Sequence, residues 1–153
     1  MQDLIIYTDG SCLNNPGPGG WSFIIVENQE ITLESFGNLA QTTNNQMELQ
    51  AVIEALKWML KMKGPQAVAT IFTDSRYVQQ GITLWTINWK KNQWRTSQGQ
   101  AVKNQEYWAA LDRLNSILNI SWQWVKAHHT DRFNICVDNL ARQAAILQRS
   151  SHA

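Results

Sequence analysis

Four acids in this 153-residue chain have the type and placement to do chemistry together: Asp9, Glu48, Asp74 and Asp138. Asp9 and Asp74 follow apolar, strand-like runs in the similar segments "IIYTDGS" and "TIFTDSR". A carboxylate at the end of a buried strand is costly unless something compensates its charge. Glu48 falls in the first turns of a helix-patterned segment, where the helix dipole favours an anion. Asp138 sits beside the apolar stripe of the last helix-patterned segment, with Asn134 one turn earlier on the same side. Taken singly, Glu48 reads equally well as a helix-start acid, and an acid placed like Asp138 is more often a surface acid. Glu27, Glu30, Glu34, Glu54 and Asp112 fall on polar hairpin or helix positions. Brought together, the first four would repel one another unless cations neutralise them. Carboxylate oxygens suit Mg²⁺, which keeps several waters and takes further ligands from phosphate. Two such ions roughly 3.5–4 Å apart can activate water on one side of a phosphodiester and stabilise the leaving oxygen on the other. The chemistry implied is phosphodiester hydrolysis. His128, in "WVKAHHTDRFN", precedes Asp138 by ten residues and is placed to shuttle a proton or help a metal or product leave.

The elements that must position these residues follow from hydrophobic periodicity. "LIIYTDG" predicts a buried strand and "GWSFIIVENQEITLESFGNLA" a pair of strands, with "CLNNPGPGG" as a loop before them. Leu49, Val52, Ile53, Leu56, Met59 and Leu60 fall at helical spacing between a Thr/Asn start and a Gly64-Pro65 stop. "AVATIFTD" predicts a fourth strand, so the helix before it is a crossover that lays this strand parallel to the first. Asp9 and Asp74 then become neighbours at the strands' C-terminal ends. Short helices are expected through "SRYVQQGI" and "LWTINWKKN", then a helix "NQEYWAALDRLNSIL" and a strand "ISWQWVK". A last helix carries Val137, Leu140, Ala141 and Ala144 on its apolar stripe.

Length and composition fit one domain over residues 1–153, with 44% hydrophobic residues and no run long enough to span a membrane. The N-terminus lacks the features of a secretory signal, and two cysteines make no disulfide framework, so a cytoplasmic protein with free thiols is expected. A net charge of +1 predicts no general affinity for polyanions, but no acid occurs between Asp74 and Glu106. That window holds Arg76, Lys90, Lys91, Arg95 and Lys103 among Trp85, Trp89 and Trp94. The mix suits a nucleic-acid contact as well as it suits a solvated helix with a tryptophan core side.

Together "YTDGSCLNNPGPGGW", "TTNNQMELQAVIEAL", "TDSRYVQQGI", "NWKKNQWRT", "VKN", "WVKAH" and "DNLARQAA" resemble a bacterial type 1 ribonuclease H, in order along nearly the whole chain. The resemblance implies an α/β fold of the ribonuclease H-like type, with a five-stranded mixed sheet in the order 3-2-1-4-5 flanked by helices. It implies endonucleolytic cleavage of the RNA strand of RNA/DNA hybrids, leaving 5′-phosphate and 3′-hydroxyl ends, and two Mg²⁺ ions, with Mn²⁺ as a possible substitute. The family's metal carboxylates fall on Asp9, Glu48, Asp74 and Asp138, with Asp9 bridging, and its mobile histidine on His128. Its DNA-strand phosphate pocket falls on Asn15, Thr43, Asn44 and Asn104. Its minor-groove contacts fall on Cys12, Asn15, Asn45 and Arg76. Its basic handle corresponds to about residues 84–104, with Trp85, Lys90, Lys91, Trp94, Arg95 and Lys103. A monomer is implied, without an obligate protein partner.

Three readings compete with it: another metal nuclease or strand transferase on the same strands, a hybrid-binding module with weak or lost catalysis, and a fold in which the acids are only scattered caps and surface charges. Short length and the tryptophan-rich handle speak against the first, and the four acids against the second. The stretch "TSQGQA" leaves the handle with few cations. Each phosphate contact contributes about −0.9 to the slope of log affinity against log salt on duplex. Hybrid affinity measured across a salt series is therefore expected to show a shallower slope than that of a handle with two or three more lysines. An equal or steeper slope contradicts this.

Overall fold

The computed structural model describes residues 3–126 and 131–151. Apolar and β-branched runs build three strands in succession: β1 (Leu4–Cys12), β2 (Gly17–Glu27) and β3 (Glu30–Thr42). The periodic segment becomes α1 (Asn44–Lys63), begun by Thr43, whose side chain accepts from the Gln46 N–H, and stopped at Gly64. There follow β4 (Val68–Thr73), α2 (Arg76–Gln80), a π-helical turn (Gly81–Trp85), α3 (Thr86–Lys91), α4 (Gln105–Ile117), β5 (Asn119–Trp124) and α5 (Arg132–Ser151). The strands form one sheet in the order β3-β2-β1-β4-β5. β1 runs antiparallel to β2 but parallel to β4, which is itself parallel to β5. The mixed sheet and its order are those expected from the sequence.

Alternation along β1 divides the core. Leu4 and Ile6 join Val52, Leu56, Ile71 and Trp108 in the larger cluster, built against α1 and α4. Tyr7 points the other way, into a cluster with Ile24, Val26 and Val137 that seats α5. Asp9, two residues beyond Tyr7, therefore leaves the sheet on the side of α5. Among the described residues no helix is long and apolar enough to cross a membrane.

Two features depart from the expected pattern. The segment "CLNNPGPGG" is not all loop, because β2 already begins at Gly17 and pairs Gly19 with Cys12. The reason lies in helix packing rather than in turn chemistry: a Cβ on Gly20 would lie 2.3 Å from the Ala141 carbonyl oxygen, so only glycine admits α5 this close. The two short helices after Asp74 are also one run, joined by the π-helical turn at Gly81–Trp85. A Cβ on Gly81 would sit 1.9 Å from the Trp108 ring. The Thr83 and Thr86 hydroxyls donate to the carbonyls of Gln79 and Ile82, one turn back, at 2.6 and 3.2 Å.

Candidate active site

The parallel register pairs Thr8 with Thr73, so the next residue on each strand, Asp9 and Asp74, stands side by side where β1 and β4 part. β4 stops there, whereas β1 stays paired with β2 as far as Cys12, so Asp9 lies within its strand rather than at its end. Glu48 comes from the first turns of α1. A Cβ on Gly10 would fall 2.3 Å from the Glu48 nitrogen, so this glycine lets the start of α1 press against β1 beside Asp9.

Oxygens from Asp9, Glu48 and Asp74 all lie within 4.8 Å of one another. Asp9 and Glu48 retain 4% and 6% of their exposure. Asp9 Oδ1 accepts the Gly10 N–H at 2.9 Å, whereas Glu48 Oε1 is buried without a hydrogen-bond partner. Such an orphaned oxygen costs about 1–3 kcal/mol or more. Burial, then the neighbouring Asp74 charge, pushes the Asp9 carboxyl up from 3.8 to about 8. Burial and the charges of Asp9 and Asp74 raise Glu48 well above the usual carboxylate range. Asp74 is raised as well, by burial first and by the Asp138 charge in addition. Three hard oxygen donors with one unsatisfied atom and strong mutual repulsion fit a divalent cation of the Mg²⁺ type.

Asp138 is a neighbour of this triple rather than a member of it. Its carboxylate accepts a 2.6 Å hydrogen bond from Arg142 one turn on, yet its charge still raises both Asp9 and Asp74. The helix that carries it is fixed to the sheet, since the Ser22 hydroxyl donates to the Val137 carbonyl at 2.6 Å. Asn134 is buried on the same helix. His128 lies outside the described residues. Just after it, Asp131 Oδ1 accepts the N–H groups of Phe133 and Asn134 at 2.9 and 3.3 Å and so caps α5. The Tyr7 hydroxyl donates to the other Asp131 oxygen at 3.4 Å; burial, with this acidic neighbour, pushes Tyr7 up to about 12.

A second concavity, of about 380 Å³, is lined by Asn15, Thr43, Asn44, Asn45, Lys103 and Asn104, together with Pro16. All four residues expected to hold a phosphate meet there. The Asn44 N–H donates to Asn15 Oδ1 at 2.9 Å, tying the β1–β2 loop to the N-terminus of α1. The Cys12 thiol faces the backbone, donating to the Thr42 carbonyl at 3.3 Å. The Arg76 guanidinium lies 3.9 Å from the centre of the Trp124 ring, and the Trp124 indole N–H donates to the Asp74 carbonyl at 3.0 Å. In the 84–104 segment, Trp85, Trp89 and Trp94 pack in series, 5.9 and 6.4 Å between ring centres, and rest partly exposed against the core. Lys90 is paired with Asp112 at 3.2 Å and Arg95 donates to the Gly99 carbonyl at 2.9 Å. Lys91 and Lys103 are exposed and make no ion pair among the described residues.

Sequence reasoning passed over Arg142, Trp124 and Gln46. Arg142 stands four residues after Asp138, a spacing that signals a helical ion pair. Thr43 and Gln46 form the Thr-x-x-Gln pattern of a capped helix start. Nothing local marks Trp124, whose contact with Asp74 depends on strands β4 and β5 lying side by side.

The RNase H family model matches residues 1–146. The chain is 47% identical over 145 residues to a ribonuclease H of Neorickettsia sennetsu, covering 95% of this chain and 94% of that one. Its fold resembles the crystal structure of LC9-RNase H1, a type 1 RNase H with the type 2 active-site motif: TM-score 0.83, 30% identity, 95% of this chain and 72% of that one. It also resembles LC11-RNase H1 in complex with an RNA/DNA hybrid, with TM-score 0.73, 21% identity and coverage of 95% and 98%.

The raised Asp9 carboxyl has a consequence for stability. A proton held more tightly in the folded state than in the unfolded one stabilises the fold most below about pH 4, and that stabilisation is lost as pH rises through about 8. In chelator, Tm is therefore expected to fall between about pH 5 and about pH 9, and Asp9→Asn to flatten the dependence. A Tm that stays level or rises across this window, in the unsubstituted protein, contradicts the burial and repulsion described.

Proposed function

The chain belongs to the RNase H family, and from that membership we propose how its own residues cut the RNA strand of an RNA/DNA hybrid. The observation that carries the reading is the triple of buried Asp9 and Glu48 with half-buried Asp74, whose oxygens lie within 4.8 Å of one another. A folded chain holds mutually repelling acids in a buried place only against a large cost, and metal-dependent phosphodiester hydrolysis gives them a use.

Two Mg²⁺ ions, or Mn²⁺ in their place, supply charge neutralisation and Lewis acidity at the scissile phosphate when bound. Asp9, Glu48 and Asp74 would hold these ions, with Asp9 as the ligand shared by both. Glu48 and Asp74 serve the leaving-oxygen side, with Glu48 near a 2′-hydroxyl of the RNA. Asp138 serves the side of the attacking water, its carboxylate oriented by Arg142. Burial of Asp9 and Glu48 keeps bulk water from competing for their oxygens. Asp9 must release its proton for the site to load. His128 assists as an auxiliary proton carrier or in product release. The products carry 5′-phosphate and 3′-hydroxyl ends.

Selection of hybrids rests on backbone shape. Only one strand of a hybrid carries 2′-hydroxyls in a wide minor groove, where Glu48, Cys12, Asn15, Asn45 and Arg76 meet it. Stacking on Trp124 steadies Arg76 for that contact. The DNA strand bends a phosphate into the pocket of Asn15, Thr43, Asn44, Asn104 and Lys103 at the start of α1. The handle at 84–104 offers Trp85, Trp94, Lys90, Lys91, Arg95 and Lys103 to the hybrid, and among the described residues Lys91 and Lys103 make no ion pair. Base edges are not needed, so sequence preference is slight. Residues 1–153 act as one unit and as a monomer, supported by a site that a single chain assembles. Two free thiols, Cys12 and Cys136, suit the reducing cytoplasm.

Labelled RNA/DNA, RNA/RNA and DNA/DNA duplexes incubated with Mg²⁺ test this directly. Only the RNA of the hybrid is expected to be cut, and chelator should stop it. Loss of a metal ligand's hydrogen-bond partner costs about 10–100-fold, so Asp74→Asn is expected to cost more than that while leaving hybrid affinity in place. Hybrid binding without metal-dependent cleavage by the unsubstituted protein would instead favour a binding module.

A further inference from the structure

A hydrogen-bond relay runs from the pocket at the start of α1 back to the helix following Asp74. Asn104 adopts a left-handed conformation, φ 61°, at the start of α4, but its side chain does not cap that helix. Its Oδ1 instead accepts from Gln46 Nε2 on α1 at 3.2 Å, and its Nδ2 donates to the Tyr77 hydroxyl oxygen on α2 at 3.1 Å. The same Tyr77 oxygen accepts from Trp108 Nε1 at 3.1 Å, and the two rings lie 5.2 Å apart. Tyr77 is thus fixed by a side chain that is itself fully buried. Both ends of the Asn104 amide are used, so its plane is set, and one Nδ2 hydrogen remains to serve a phosphate oxygen.

We propose that Tyr77 is a positioning residue for the DNA-strand phosphate pocket: its hydroxyl orients the Asn104 amide, which in turn bridges the α1 and α4 walls. The proposal rests on the reading of that pocket as a phosphate site. Tyr77 lies three residues beyond Asp74 on the same run of chain, so the pocket is set at a fixed distance from the acids. A hybrid seated by this phosphate is thereby delivered in register with the site of cleavage.

Steady-state kinetics on an RNA/DNA hybrid with Tyr77→Phe, Asn104→Ala and the double variant test it, with Tm recorded for each. Asn104→Ala is expected to raise KM. Tyr77→Phe removes a hydroxyl that touches no substrate, and is expected to raise KM about 3- to 10-fold, the effect of one hydrogen bond, with kcat within about 2-fold. In the Asn104→Ala background it should add nothing, because its effect runs through that amide. A general loosening of the fold would act in both backgrounds, so an equal KM effect in each overturns the proposal, as does a change confined to kcat or no change at all. Should Tyr77→Phe fail to fold, Gln46→Met cuts the same relay from the α1 side. It is expected to show the same KM effect and the same dependence on Asn104, and its failure to do so overturns the proposal. If Asn104→Ala leaves KM unaltered, the phosphate reading of the pocket falls and this inference with it. If Asn104→Ala raises KM and Tyr77→Phe does not, only the role of Tyr77 falls.

Discussion

Repulsion among three carboxylates, Asp9 and Glu48 buried and Asp74 half-buried, is the constraint on which the rest of the structure turns. Asp9, Glu48 and Asp74 are close enough, and dry enough, that all three ordinary carboxyl affinities for protons are raised. Left to themselves they would separate or draw in water. The surrounding structure prevents both: β1 and β4 are locked in parallel register up to Thr8 and Thr73, and Gly10 brings α1 against the sheet. Rigid strands and a close helix hold the acids against that repulsion, which a bound metal cation would relieve.

The same elements that force the acids together also shape the neighbouring pocket. Thr43 begins α1 and lines that pocket with Asn15, Asn44 and Asn104, five residues before Glu48. Trp124, at the end of β5, holds the Asp74 carbonyl with its indole and Arg76 with its ring. Cys12, Asn45 and Arg76 each lie within three residues of one of the acids, so bending the backbone at one alters the other.

Much of this was legible in residue patterns. The period-2 and helical runs placed the strands and α1, and the long helix between "IIYTD" and "TIFTD" implied the parallel pairing that brings Asp9 and Asp74 together. Asn15, Thr43, Asn44 and Asn104 came from a resemblance, and they do line one pocket. What stayed hidden depends on distant contacts. Gly20 looked like loop punctuation because nothing local reveals that α5 packs on it. The π-helical turn at Gly81–Trp85 needs Trp108, from a later helix, to explain it. Arg142 was readable from its spacing to Asp138, whereas Trp124 and Tyr77 act across elements that only the folded chain places side by side.

If repulsion in the triple is relieved by cations, loading the site must drive off the protons that repulsion holds there. Mg²⁺ titrated into the metal-free protein near pH 7, in two buffers of different ionisation enthalpy, measures that release directly. A saturable binding heat that differs between the buffers, with protons released on binding and the release fading above about pH 8, is the expected result. Binding without proton release near pH 7, or no binding at all, would contradict it.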